Sequence, residues 1–364
     1  MKRDASSLLL SLVAAIVVVT PAVAQSPALD PGQPPLAEAV TFAPLGAGTI
    51  LFTDWATAKA EHGYDNVTSA TPLDERMDAM VDLGWTEAPF AGFAIDRFAL
   101  HAEAWGWDTT DVDWEASFGV DGPPVAVLRL RDGFDLAPVI AHLDDRGFST
   151  EVYGDATIRS HAMDVGADWI RTSGFGILNT AILDDGRTLV LSGSLEAVKA
   201  TLDARHLDFA QAPPSWVVAG ALGSPLSAAI EVGTDACAAY DPLVQDAGDA
   251  GANADLLAEV GTLSPWQAMG IGTYRDDTGA AVGRYVFDHL TEADALAALA
   301  GRARLADQGI SLRTDEPYAT SVFRLVTFTT DGRDIVLDVA PVEDQSRRLQ
   351  QAFFSRDMVF ATCG

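Results

Sequence analysis

Lysine is nearly missing from this chain: Lys2, Lys59 and Lys199 stand against twenty arginines. The 23 basic residues are outnumbered by 52 acids, which sets the formal charge at −29. A surface of that sign repels phosphate backbones and anionic headgroups, so nucleic-acid and membrane-surface roles are disfavoured. Cysteine is as scarce, with only Cys237 and Cys363. Two thiols cannot close a structural zinc site, and no histidine cluster supplies the missing ligands. His62, His101, His142, His161, His206 and His289 are scattered, and none pairs at i, i+4. His101 with Glu103 is the one local His–acid pair. No lysine follows a serine by three residues, and Leu191–Leu195 lacks the outer glycines of a nucleophile elbow, so Ser194 reads as a helix N-cap. The spacing of Gly174 and Gly176 does not make a phosphate cradle. With no cofactor motif present, no cofactor is expected.

What the chain does have begins at its N-terminus. Lys2 and Arg3 precede an apolar stretch from Leu8 to Val19, and Ala22-Val23-Ala24 has the small-x-small form of a cleavage site. The stretch is too short to cross a bilayer core of roughly 30 Å. Residues 1–24 therefore read as a signal peptide cleaved after Ala24, which places the mature chain outside the cytoplasm. No later apolar run reaches the ~18 residues of a membrane-spanning helix, so no membrane span is expected after cleavage. In an oxidising compartment an even cysteine count implies a bridge, Cys237–Cys363. By the chain-entropy model a loop of that length contributes ~4–5 kcal/mol.

The 340 residues after Ala24 exceed what one core usually serves, which favours two domains. Five prolines in 25–44 read as an extended tether, and Pro213-Pro214 marks a second break. The blocks between, 45–206 and 213–364, carry parallel signals. Each opens with an apolar strand and short helix: Thr49–Thr53 with Asp54 capping Trp55–His62, and Trp216–Leu222 followed by Pro225–Val232. Strand starts follow at Asp113-Trp114-Glu115-Ala116 and Pro265-Trp266-Gln267-Ala268, then strands Val125–Leu130 and Val282–Phe287. Capped helices begin at Asp135 and Thr291. Hairpins turn at Asp185-Gly186-Arg187 and Asp331-Gly332-Arg333. Final helices span Leu195–Ala204 and Gln345–Phe354, and a last strand, Met358–Thr362, precedes Cys363. The expected fold is α+β: two similar domains from an internal duplication, each an antiparallel sheet with helices on one face. One larger mixed sheet is the alternative.

Ile50-Leu51-Phe52-Thr53-Asp54-Trp55, the acidic strand Asp111–Trp114 and the stretch Val127–Gly147 together resemble a group of exported proteins of GC-rich Gram-positive and related bacteria. The resemblance covers residues 49–205. It implies export and architecture, and it carries over no catalytic residue.

The densest chemistry is Trp105, Trp107, Asp108, Asp111, Asp113, Trp114 and Glu115. Indole faces beside carboxylates suit a sugar, and a glycosidase needs two carboxyls about 5–10 Å apart. Against this, Val112, Trp114, Ala116 and Phe118 alternate with Asp111, Asp113, Glu115 and Ser117, as in a half-buried strand with its acids in solvent. An EF-hand would want Gly at the sixth position and Glu at the twelfth, where Ala116 and Gly122 stand. Asp241, Asp246 and Asp249, or Asp276 and Asp277, could each contribute to a looser Ca²⁺ site, though solvated loop acids are the first reading. The insert at 64–107 holds a helix with Thr71 as N-cap, Pro72 at N1, and Leu73, Met77, Met80 and Val81 facing inward. This insert and the groove between domains are the expected contact surfaces. The sequence thus points to an exported protein without a recognisable catalytic site, binding a partner protein or small ligand, with Trp105, Trp107, Asp108 and Asp111 as candidate contacts. A hydrolase of glycan or ester bonds using carboxylates at 108–115 is the alternative.

Overall fold

The structure is a computed structural model that describes residues 33–87, 89–93, 95, 98–119, 122–164, 169, 174–207, 212–241 and 250–363. The expected signal peptide and the start of the tether lie outside these residues. The remainder of the tether is helical. Pro34 leads a helix α1 (Pro35–Ala39) and a 3-10 turn (Val40–Phe42), and Leu36, Ala39, Val40 and Phe42 are buried. A Pro-Pro pair starts this helix because proline at N1 gives up an N–H that has no partner there.

β1 (Thr49–Asp54) runs into α2 (Trp55–Glu61), where the Asp54 side chain accepts the Thr57 N–H as expected of an N-cap. The insert supplies α3 (Leu73–Thr86) and α4 (Phe98–Trp105). β2 (Val112–Gly119), β3 (Val125–Leu130) and α5 (Ala137–Asp145) follow, then two hairpins, β4 (Ser149–Tyr153) with β5 (Ala156–Ser160) and β6 (Asn179–Leu183) with β7 (Thr188–Ser192). α6 (Leu195–Ala204) is capped by Ser194.

In the second block the first two elements exchange identities. Residues 214–222 form a helix, α7 (Pro214–Leu222), and Ser227–Val232 forms the strand β8. The β-branched Val217 and Val218 suggested a strand, but Pro213-Pro214 starts a helix here as Pro34-Pro35 does earlier. Tertiary packing then holds it: an added Cβ at Gly270 would lie 2.4 Å from Val218 Cγ1, so this strand glycine lets the helix approach closely. α8 (Ala250–Val260), β9 (Trp266–Arg275), β10 (Ala281–His289) and α9 (Glu292–Gln308) come next. A short ladder of β11 (Ile310–Ser311) with β12 (Glu316–Pro317) precedes α10 (Tyr318–Ser321). The hairpin β13 (Phe323–Asp331) with β14 (Asp334–Pro341) leads to α11 (Ser346–Phe354). The expected last strand is instead a 3-10 turn, Val359–Ala361.

Twelve strands form one antiparallel sheet in the order β13-β14-β10-β9-β8-β1-β2-β3-β7-β6-β5-β4. β1 pairs with β8, from Thr49 opposite Glu231 to Thr53 opposite Ser227, so the break at Pro213-Pro214 does not separate two sheets. Helices cover both faces, not one. On the upper face α1, α6 and α7 share a core with Ile50, Phe52, Trp114, Val127, Ile230 and Val286, which draws on both blocks. On the lower face α2, α3, α4 and α5 pack on Leu128, Leu130 and Leu191, while α9 and α11 pack on Met269, Phe287 and Leu337.

The C-terminal turn is fastened by a disulfide and by buried side-chain hydrogen bonds, among them one from the Val359 N–H to the Tyr318 hydroxyl at 2.9 Å. Cys363 is disulfide-bonded to Cys237, with Cα atoms 5.5 Å apart across a sequence separation of 126. Trp266 Nε1 donates to the Ala361 carbonyl at 2.8 Å. The buried Arg302 guanidinium donates to the carbonyls of Phe360, Thr362 and Ser264. Among the described residues no helix is long and apolar enough to cross a membrane.

Candidate functional site

The tryptophans and acids at 105–115 turn inward. Trp105 and Trp107 are 0% and 1% exposed, so neither offers a face to a sugar. Asp108 and Asp111 are fully buried as well. Asp108 is paired with Arg76 and accepts from the Thr110 hydroxyl and N–H. Asp111 pairs with Arg131 at 3.2 Å and accepts from the Ser69 N–H. Asp113 pairs with Arg187 at 2.7 Å. The four residues proposed as ligand contacts are therefore internal fastenings of the insert to the sheet. The alternation of Asp111, Asp113 and Glu115 with Val112 and Trp114 implies solvent-facing acids only where one sheet face is covered; helices on the second face bury Asp111 and Glu115 too.

Glu115 shows the consequence. It is 1% exposed and points into the lower face, where it accepts from Trp55 Nε1 at 3.3 Å and from the Phe93 N–H. Burial raises its carboxyl to about 7. Burial also raises Asp108 and Asp113.

Beside Glu115 on the same face, Ser117, Ala126 and Leu191 stand directly opposite one another across β2, β3 and β7. Two small side chains in that row leave the sheet bare under the chain above it, and a cavity of about 360 Å³ opens there. Phe93 and Met163 form walls, and Pro123 and Pro124 of the β2–β3 connection form the rim. The Phe93 ring is set by Gly176, where an added Cβ would come within 2.6 Å of Phe93 Cε2. The volume falls in the range of about 300–1,000 Å³ usual for small-molecule sites, and its surface is overwhelmingly apolar.

Behind Phe93 lies His101 of α4. It is fully buried, and among the described residues neither of its ring nitrogens has a hydrogen-bond partner. Its ring centroid is 4.3 Å from that of Trp107 and 5.8 Å from that of Phe93, edge-on to both. Burial among these rings pushes its imidazole down to about 3. The pair with Glu103 read from the sequence is absent from its contacts; aromatic rings surround it instead.

A second, polar cleft of about 450 Å³ lies where α2 and α3 meet the β9–β10 turn. There Glu87 Oε1 accepts from His62 Nε2 at 2.7 Å and from Arg275 at 2.8 Å, joining the two blocks. Asp82 holds the other ring nitrogen of His62 at 3.1 Å. Among the described residues no three His, Cys, Asp or Glu side chains are grouped to hold a metal ion.

The insert helix α3 buries Met80 as expected but exposes Leu73, Met77 and Val81. Arg76, Ala79, Met80 and Leu83 are buried, whereas Leu73, Met77, Val81 and Trp85 are 46%, 48%, 56% and 64% exposed. Two apolar stripes share one helix, and the Arg76–Asp108 pair selects which turns inward.

No protein-family model matches this chain, and no curated protein sequence matches it. Among solved structures, crystal form I of TP0453 is similar with a TM-score of 0.38 at 9% sequence identity, covering 90% of this chain and 99% of that one.

Proposed function

We propose that this protein is exported and binds a small apolar molecule in the cavity over β2, β3 and β7. The observation that carries this reading is an apolar space of about 360 Å³ on an ordered sheet, floored by Ser117, Ala126 and Leu191. An apolar surface of this kind left in water forgoes the free energy that covering it with an apolar ligand returns. The carboxylates that a hydrolase would need at 108–115 are engaged with Arg76, Arg131, Arg187, Trp55 and Phe93, which favours binding over hydrolysis. The test is a titration with N-phenyl-1-naphthylamine, a neutral dye that brightens in apolar surroundings. Saturable brightening that Ala126→Phe abolishes supports the reading; equal brightening with Ala126→Phe overturns it. Export is tested by mass spectrometry of protein from culture medium, with an N-terminus at Gln25 as the expected result and at Met1 as the contrary one.

A second reading, contact with a partner protein, is favoured by the exposed stripe Leu73-Met77-Val81-Trp85. Asp74, Glu75, Asp78 and Asp82 share that helix, so a second copy or an anionic bilayer meets like charge, and the occupant that fits is a basic partner segment with an apolar face.

We further propose that the sheet arose by internal duplication. From the central pair outward the strands run β1-β2-β3-β7-β6 on one side and β8-β9-β10-β14-β13 on the other, each preceded by a helix starting at Pro-Pro. Superposing one half on the other should match these strands in that order. A best superposition with any other pairing contradicts the proposal.

A further inference from the structure

We infer that the ligand carries a neutral hydrogen-bonding head, a hydroxyl or carbonyl, which is received by His101 once the Phe93 side chain yields its place. The inference rests on the cavity reading above and deepens it.

The argument starts from an imbalance. A buried polar atom without a partner costs folding free energy, and natural cores seldom keep one. His101 keeps two, in a protein where neighbouring buried groups such as Glu115 and Asp108 are fully engaged. Among the described residues the contacts of His101 are aromatic rings, Trp105, Trp107 and Phe93, which would pack equally against a phenyl ring. Phe93 both lines the cavity and packs edge-on against the His101 ring, so its side chain is shared between them. Phe93 sits in the connection between α3 and α4, not in a helix or strand, and Gly176 behind it presents no side chain.

The chemistry of the head follows from the surroundings. His101 is uncharged at neutral pH, because burial holds its imidazole at about 3, and a neutral imidazole offers one donor and one acceptor but no cation. Among the described residues the other titratable group at this wall is Glu115, whose carboxyl accepts the Phe93 N–H. Among the described residues a carboxylate or phosphate head would meet no compensating charge here, and burying an unpaired charge is strongly unfavourable. A hydroxyl can both give to and take from the imidazole. The ligand class is thus an uncharged amphiphile, an apolar body bearing one small neutral polar group.

Three probes with one body separate the outcomes: naphthalene, 1-naphthol and 1-naphthoate, each displacing N-phenyl-1-naphthylamine from the full-length mature protein. The expected order is naphthol tightest and naphthoate weakest, with naphthol ahead of naphthalene by about tenfold, the scale of one hydrogen bond in a dry site. His101→Phe should bring naphthol down to naphthalene and leave naphthalene unchanged. In the wild-type protein, naphthol but not naphthalene should shift a ring-nitrogen NMR signal of His101, a readout that needs no variant. The inference is overturned by a naphthol advantage that survives His101→Phe, by no advantage while naphthalene binds, or by a silent His101 signal. Failure of all three probes and of the dye would remove the cavity reading itself, a different result from any of these.

Discussion

Replacing Glu115 by glutamine should change how stability depends on pH, with a sign and size set by burial. The carboxyl is 1% exposed and raised from 4.5 to about 7 by desolvation. Between those values the unfolded chain ionises at this position while the folded protein keeps its proton, so the unfolded state binds fewer protons. The contribution of Glu115 is therefore fully present below about pH 4.5 and is lost as pH rises through about 7. A shift of this span corresponds to roughly 3 kcal/mol. Glu115→Gln cannot ionise and lacks this loss, although its amide accepts from only one of the two donors, Trp55 and Phe93. Relative to wild type the variant should gain about 3 kcal/mol between about pH 4.5 and pH 8, whatever its offset at low pH. Urea unfolding midpoints at a series of pH values, with constant m, would measure this. Burial also raises the Asp288 carboxyl above its ordinary value. It is common to both proteins, so their difference isolates Glu115. A wild-type-minus-variant difference that stays flat across the window would refute the reasoning.

The other predictions concern packing and fastening. Met80→Ala and Leu83→Ala should each destabilise by about 2–5 kcal/mol, while Leu73→Ser, Met77→Ser and Val81→Ser should stay within about 1 kcal/mol, as read by urea unfolding. The reverse ranking would restore the inward-facing assignment of Leu73, Met77 and Val81. Gly270→Ala should cost about 1–3 kcal/mol, because the new methyl group meets the stiff Val218 side chain of α7. A neutral effect in thermal melting would contradict the close helix–sheet approach. Reducing Cys237–Cys363 should lower stability by ~4–5 kcal/mol, and peptide mapping without reductant should recover the two cysteines in one linked fragment.

Much of the architecture was legible because it is punctuated locally. Asp54, Ser194 and Thr291 cap the helices expected of them, and the turns at Asp185-Gly186 and Asp331-Gly332 close the expected hairpins. Errors arose where a local signal was ambiguous or a global fact was missing. Val217 and Val218 favour a strand by propensity, whereas Pro213-Pro214 and the close approach at Gly270 of β9 go with a helix packed there. That helices cover both sheet faces was the missing global fact. Its trace is in the sequence, since the runs in β6 and β7 are buried at every position, as two-sided strands are. The acids at 111 and 115 were sent to solvent for the same reason. The cavity left no local trace at all. Phe93, Ser117, Ala126, Met163 and Leu191 are ordinary residues far apart in sequence, and only strand register places three of them in one row.

The most direct test of the central claim is methyl NMR of the protein titrated with N-phenyl-1-naphthylamine. The account predicts saturable shifts of the Leu191, Ala126 and Met163 methyl signals, with Leu73, Met77 and Val81 unmoved. Shifts confined to the α3 methyls, with Leu191, Ala126 and Met163 silent, would contradict it.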